Sequence, residues 1–508
     1  MSAADVKYEG THAVTEKEHA GVGAGAVEIG AFAARDPLNP QEGWSTTKRW
    51  RVLFVALFIT FTSTYNSTAN GSVGAGVDKE FGVSKDVFQV SSFAYQLMLG
   101  VGPLVLAPLT ETFGRRGPLV ILTALITILF LPQALAPNFA SICATRFFQG
   151  ALGSCEGPVI AGVVADLFPK RTRGMPMAVF VAAVFWGNAT GPSVSAWVAY
   201  KLTWRWVYWL QMITSGVSCL LVVAFLPETR GEVLLARRAA ATSQHSSSAP
   251  HRYTVSERVA RFGQGVRVSS SRPLVYLLTE PVVFACAMWV GSAWGIVFLW
   301  NGAISLVFKE TYGWNSGQGA TPLLGGAVAS LIGLVEHKFL QERLYRRSMR
   351  EGGGRAQPEA RLYSSVGGAL LFAAGSFGFA WTARSWIHPA APIVMLVVAQ
   401  TGLWIIYLAT YNYLADVYER YGSSAQAAQS LMRGILGSVF PFFGNTMYER
   451  LGFPWASTLV GFIALAFTAV PILFIRYGAI FRARSRVAQQ LEQEEGEVLR
   501  DEPAVVSA

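Results

Sequence analysis

The sequence predicts an all-α membrane protein of two six-helix bundles related by pseudo-two-fold symmetry. Three observations carry this: a succession of apolar runs each long enough to cross a bilayer, one long polar break midway, and an uneven distribution of Lys and Arg between alternate loops. The 508-residue chain is 52% hydrophobic and 14% charged, whereas a water-soluble domain carries about 25% charged residues.

The first set of runs covers residues 51–72, 87–108, 118–136, 140–165, 175–199 and 206–226. The second covers 279–302, 317–337, 362–382, 390–413, 424–447 and 455–475. Each is close to the roughly 20 residues that cross a hydrocarbon core. We number them spans 1 to 12.

Between the sets lies the polar break 227–278, rich in Arg and in serine runs (Ser246–Ser248, Ser269–Ser271). Such composition reads as a linker. Lys and Arg number 21 in the loops after even-numbered spans and 7 in those after odd-numbered spans. Cytoplasmic loops carry the excess, so both termini and the linker are expected in the cytoplasm.

The expected organisation is a disordered cytosolic tail (1–48), an N-terminal bundle (49–227), a cytoplasmic linker (228–278), a C-terminal bundle (279–477) and a second cytosolic tail (478–508). The N-terminal tail is polar, rich in Gly and Ala, and carries both charge signs, unlike a cleavable signal sequence.

Several function classes are excluded. The net charge of +10 invites a nucleic-acid reading, but the basic residues cluster in short segments between apolar runs, which is membrane topology rather than a nucleic-acid surface. Cys143, Cys155, Cys219 and Cys286 lie inside apolar runs without metal-ligand spacing, so neither disulfide, zinc nor other metal site is expected.

The six histidines, His12, His19, His245, His251, His337 and His388, are scattered in tails and loops. No catalytic cluster forms, and no enzyme is expected. The stretch Gly352–Gly354 follows no strand and precedes no Lys-Ser/Thr, so it is not a nucleotide loop. With no cofactor, energy must come from an ion gradient.

Four stretches bear chemistry. After span 2 the chain reads Ala107-Pro-Leu-Thr-Glu111-Thr-Phe-Gly114-Arg115-Arg116, in which Glu111 can pair with a nearby Arg and Gly114 permits a tight turn. Span 4 carries Arg146, Gln149, Gly150 and Glu156. At about 100° per residue, Arg146, Gln149 and Glu156 share one stripe. A charged stripe faces a bundle interior or a cavity rather than lipid, and Glu156 is the first choice for a proton-carrying group.

Span 5 reads Gly187-Asn-Ala-Thr-Gly191-Pro192; small residues four apart let helices approach, and Pro192 bends the helix. Spans 7 and 10 supply Trp289, Trp294, Trp300 and Asn301, then Trp404, Tyr407, Tyr411 and Asn412. Such aromatic faces with polar tips suit bulky amphiphiles, while Trp300 and Trp314, near span ends, read better as interfacial anchors. Span 1 contributes the polar run Thr62–Thr68, including Asn66, which lipid cannot satisfy.

These stretches resemble the signatures of the major facilitator superfamily: Gly-x-Leu-x-Asp/Glu-x-x-Gly-Arg-Arg/Lys after span 2, Arg-x-x-Gln-Gly in span 4, and Gly-x-x-x-Gly-Pro in span 5. Ala107 replaces the first glycine, and Ser195-Ala196 replaces a trailing glycine pair. The sequences Trp204-Arg-Trp206, Leu226-Pro-Glu-Thr-Arg230, Tyr413-Leu-Ala-Asp416 and Ala425-x-Ala427-Ala428 with Arg433 resemble the fungal twelve-span drug:proton antiporters over residues 45–486.

The resemblance implies the major facilitator fold, with a substrate site between the halves. It implies a gating latch at Glu111, Gly114, Arg115 and Arg116, proton coupling through Arg146, and antiport from the motif Gly187, Gly191 and Pro192. The expected protein is a monomer in the plasma membrane, the vacuole being an alternative, exporting a hydrophobic or amphiphilic small molecule against proton entry. Asn66, Trp289, Trp294, Asn301, Tyr407 and Tyr411 are the expected substrate contacts. Proton-coupled uptake of a sugar or organic acid and a membrane-embedded sensor are the other readings.

Overall fold

The computed structural model describes residues 36, 38–169, 172–231, 233–235, 238, 255–352, 357–418, 422–485 and 487. All regular structure among them is helical. Eleven helices are long and apolar enough to cross a membrane: Thr46–Phe81, Lys85–Thr110, Arg116–Ala134, Phe139–Leu167, Gly174–Lys201, Trp204–Phe225, Pro281–Tyr312, Ser316–Glu351, Pro358–Thr382, Ala390–Tyr418 and Thr446–Gly478. They correspond to spans 1 to 10 and span 12.

Span 11 is helical as well, although it falls short of the others in hydropathy. A continuous helical stretch runs Gly422–Phe467 and breaks at Gly452, whose φ of 74° and ψ of 159° suit only a residue without a Cβ. That break separates spans 11 and 12. The polarity of span 11 comes from Ser423, Ser424, Gln426, Gln429, Ser430 and Arg433, and several of these line a cavity described below.

The packing explains the pseudo-symmetry. In the first half, span 1 packs on span 5, span 2 on span 4, and span 3 on span 6; in the second, span 7 packs on span 11, span 8 on span 10, and span 9 on span 12. Adding six to each number of the first set reproduces the second. The halves meet where span 2 packs on span 11 and span 5 on span 8.

Small residues permit these crossings. A Cβ built on Gly100 would lie 2.8 Å from the Gly434 Cα, so spans 2 and 11 touch backbone to backbone. The helix Val255–Thr279 from the expected linker packs on both of these spans, and its Ser270 hydroxyl donates to the Leu104 carbonyl at 3.1 Å.

Two expectations change. Span 7 runs on to Tyr312, so Trp300 lies well inside it rather than at an interface: it is fully buried against Phe372 and Phe379, with ring centroids 5.9 and 6.4 Å away. Trp314 packs on Phe308 at 5.0 Å. His337 is not a loop residue; it opens a π-helical turn, His337–Gln341, and is buried.

Candidate functional site

Two connected cavities lie between the halves. The larger, about 580 Å³, reaches the ends of spans 1, 2, 5, 7 and 8, where Asp78, Lys85, Tyr200, Lys309 and Ser316 line it. The smaller, about 130 Å³, lies deeper, and Ser67, Thr68, Gln96 and Phe298 line both. The mouth is therefore on the side of the loops that follow odd-numbered spans.

The inner chamber is aromatic on its second-half wall. Trp294 meets Tyr407 edge-on at 5.4 Å and Phe185 at 5.6 Å, and Tyr407 meets Tyr411 at 6.2 Å. Arg433, from span 11, donates to the Tyr407 hydroxyl oxygen at 2.9 Å and lies 5.7 Å from the Trp294 ring centroid. Facing them in the first half are Ser63, Thr64, Asn188 and Phe180. Asn301 lines the outer cavity and donates to Asn188 at 3.4 Å.

Of the expected substrate contacts, Trp294, Tyr407, Tyr411 and Asn301 thus line the cavities. Asn66 and Trp289 do not. The Asn66 side-chain amide donates to the Ser215 hydroxyl at 2.9 Å, and the Asn66 backbone carbonyl accepts from Arg146 at 2.9 Å and Gln211 at 3.1 Å. Burial inside the first bundle satisfies most of span 1's polar run in this way, with Thr60, Thr62, Thr64 and Thr68 bonding back to their own helix.

Span 4 divides at Ser154 and Cys155 into the helices Phe139–Gly153 and Glu156–Leu167. Arg146 is fully buried, with its guanidinium 5.3 Å from the Tyr95 ring and 5.5 Å from that of Tyr208. Gln149 accepts from Gln133 of span 3 at 2.8 Å and so faces away from the cavity. Gly150 leaves room for the Tyr95 backbone. Glu156 lies beyond the break, buried beside Ser63, whose side chain lines the inner chamber. Tyr95, whose ring faces Arg146, is also near Glu156 on the other side of the interruption.

On the opposite face from the mouth, the loop after span 2 is held by the end of span 6. Gly114 adopts φ 89°, and a Cβ there would run into the Glu228 carboxylate. That carboxylate accepts from the backbone N–H groups of Arg115 at 2.9 Å, Arg116 at 3.3 Å, Thr229 at 3.1 Å and Arg230 at 3.0 Å. It therefore caps the N-terminus of span 3, where the helix dipole favours an anion.

The Arg115 side chain donates to Asp166, at the end of span 4, at 3.2 Å. The Glu111 side chain lies outside the described residues. Sequence reasoning missed Asp166 and Glu228 as the partners of Arg115 and of the turn at Gly114; for Glu228, the signal was present in Pro227-Glu228-Thr229.

The second half repeats the arrangement, with Arg361 paired to Asp416 at 2.7 Å and Glu359 paired to Arg482. Arg173, in the loop after span 4, donates to the Phe168 carbonyl at 3.1 Å and the Ala165 carbonyl at 3.2 Å, within electrostatic range of both Asp166 and Asp416. Alongside it, a Cβ on Gly174 would lie 3.5 Å from both His337 and Glu342.

In span 5, Gly187 and Gly191 lie against span 1: a Cβ on either would collide with the hydroxyl of Thr64 or Thr68. Pro192 lines the outer cavity, and its carbonyl accepts from Ser72 at 3.1 Å. Ser193 donates to Ala320 at 2.9 Å across the seam. Among the described residues no group of three or more His, Cys, Asp or Glu could hold a metal ion.

Two helical repeats around a central chamber define a polytopic membrane transporter. The family profile described as the Major Facilitator Superfamily matches residues 53–441, and the chain belongs to that superfamily. It is 32% identical to the MFS-type efflux pump MFS2 of Trichophyton rubrum, over 90% of this chain and 77% of that protein. It is also 32% identical to the ascochitine biosynthesis cluster MFS transporter of Didymella fabae, over 90% and 88% respectively. The human organic anion transporter MFSD10 (TETRAN) shares the fold, with a TM-score of 0.57 at 13% identity over 83% of this chain and 99% of that one.

Proposed function

We propose that this chain is a proton-coupled efflux transporter that expels a hydrophobic or amphiphilic small molecule, such as a secondary metabolite, by rocking its two halves about the chamber. The observation that carries the reading is the inner chamber: an aromatic wall of Trp294, Tyr407 and Tyr411 set against small polar groups and continuous with the outer cavity. Relatives named as efflux pumps support the direction, and one named as the MFS transporter of a biosynthesis cluster supports the secondary-metabolite class.

In this reading the excess of Lys and Arg places the latched face, both termini and the linker in the cytoplasm of a plasma-membrane monomer. The state described is then outward-facing. Opening the other face requires parting Gly100 from Gly434 and Arg173 from Asp416. Glu156 carries the proton: among the described residues it has no ion-pair partner, and a lone carboxylate at membrane depth is costly. Arg146 links that charge to span 1 through the Asn66 carbonyl. Arg115, with Gly114 and Arg116 held on Glu228, releases the gate.

The test is efflux of a panel of amphiphilic dyes and organic acids from cells expressing the chain, with the proton gradient varied, comparing wild type with Glu156→Gln. Export that collapses both with the gradient and with the substitution is expected. Accumulation along the gradient would make the chain an importer.

A further inference from the structure

The arginines that structure the gates are matched by acids. Arg115 has Asp166, Arg361 has Asp416, and Arg482 has Glu359. Arg146, buried in the first bundle, is held by a backbone carbonyl and two aromatic rings. Arg433 differs from all of these. Its hydrogen-bond partner is a neutral phenol, Tyr407, and among the described residues no carboxylate lies within ion-pair distance.

Arg433 is also the only charged residue among those that line the inner chamber. The other wall groups are hydroxyls, amides, aromatic rings and aliphatic carbons. Glu156 sits behind Ser63 on the opposite half and does not pair with it. A cation in a low-dielectric cavity with no counter-charge attracts an anion strongly and repels a cation.

The donor geometry points the same way. One guanidinium nitrogen is spent on Tyr407, whose hydroxyl accepts that bond and keeps its own O–H free to donate. Ser430, one turn earlier on the same helix, and Gln426 line the same chamber. A guanidinium fork flanked by hydroxyl donors is matched to a planar oxyanion such as a carboxylate. Beside it, Trp294, Tyr411 and Phe298 offer ring faces to a flat apolar body.

Resting on the reading of this chamber as the substrate site, we infer that the transported compound is an anionic amphiphile: a flat apolar body bearing one oxyanion, a carboxylate being the simplest, that docks on Arg433 and Tyr407. The tested substrate class is thus narrower than drug-like amphiphiles in general, and it excludes polyamines and other organic cations.

The experiment is equilibrium dialysis with the purified full chain in detergent, using three probes on one ring system: 2-naphthoate, neutral 2-naphthamide and cationic 2-naphthylmethylammonium. Naphthoate is expected to bind about tenfold or more tightly than either analogue. Arg433→Gln is expected to bring naphthoate binding down to that of naphthamide measured on the same variant, with folding checked separately by its melting temperature and size-exclusion profile; Arg433→Lys keeps part of the preference. The inference is overturned if naphthoate is not preferred by that margin, or if the preference survives Arg433→Gln. The measurement needs no transport, so loss of gradient-driven efflux would sink the exporter reading alone, and loss of anion preference would sink this inference alone.

Discussion

Arg361 donates to Asp416 at 2.7 Å at the same place in the second half where Arg115 donates to Asp166 at 3.2 Å in the first. In each case an Arg at the start of the third helix of a half holds an Asp at the end of the fourth. Arg173, whose guanidinium donates to the Phe168 and Ala165 carbonyls of its own half, lies within electrostatic range of both acids. Each ion pair lies within one half, so of these groups only Arg173 bridges the halves, by attraction at a distance rather than by contact.

Removing the bridge should loosen that face first. Arg173→Gln is expected to raise the rate at which a membrane-impermeant thiol reagent, applied from the Arg115 face, labels a cysteine placed at Ser430, in a background lacking Cys143, Cys155, Cys219 and Cys286. Unchanged labelling would remove Arg173 from the gate.

Glu228 should matter for stability more than its place outside the spans suggests. Glu228→Ala leaves the backbone N–H groups of Arg115, Arg116, Thr229 and Arg230 without their acceptor, a loss of roughly 2–4 kcal/mol by the usual range for charge-assisted hydrogen bonds. The Tm of the detergent-solubilised protein should fall by several degrees. Wild-type melting behaviour would mean that water replaces the carboxylate without loss.

Gly191 and Thr68 should couple. Gly191→Ala alone is expected to lower Tm because its methyl group collides with the Thr68 hydroxyl, overpacking that typically costs about 1–3 kcal/mol. Thr68→Ala in the same chain should recover part of the loss, a non-additivity that a double-mutant cycle reads directly. Additive losses would show that span 5 does not bear on span 1 at this point.

Gly434 tests the seam. A Cβ there has the Gly100 backbone in its way, so Gly434→Leu should hold the Arg115 face open and shift labelling of Ser430→Cys to that face. Labelling that stays confined to the opposite mouth would refute backbone contact as the closing element.

Trp294→Ala should weaken binding of an aromatic ligand by about 1–2 kcal/mol, the range of ring stacking with a desolvated cation nearby. Titration by fluorescence quenching measures it. Trp289→Ala, outside the chamber, should leave affinity unchanged and affect Tm instead.

The sequence by itself determined what depends on composition, period and local chemistry. The spans were legible because lipid demands about 20 apolar residues at a stretch, and Gly114, Arg146 and the Gly187–Gly191 pair stood out because few residue types serve a tight turn, a buried cation or a close helix crossing.

Partnership across the chain was not legible. Tertiary structure alone decided that Glu228 holds the turn at Gly114 over a separation of more than a hundred residues, that Asn66 turns into the bundle while Arg433 faces the chamber, and that His337 is buried at the seam. The reason is physical. Polarity in a span requires a partner or a cavity, but which of the two it receives depends on how helices distant in sequence rotate and pack, and hydropathy carries no record of that.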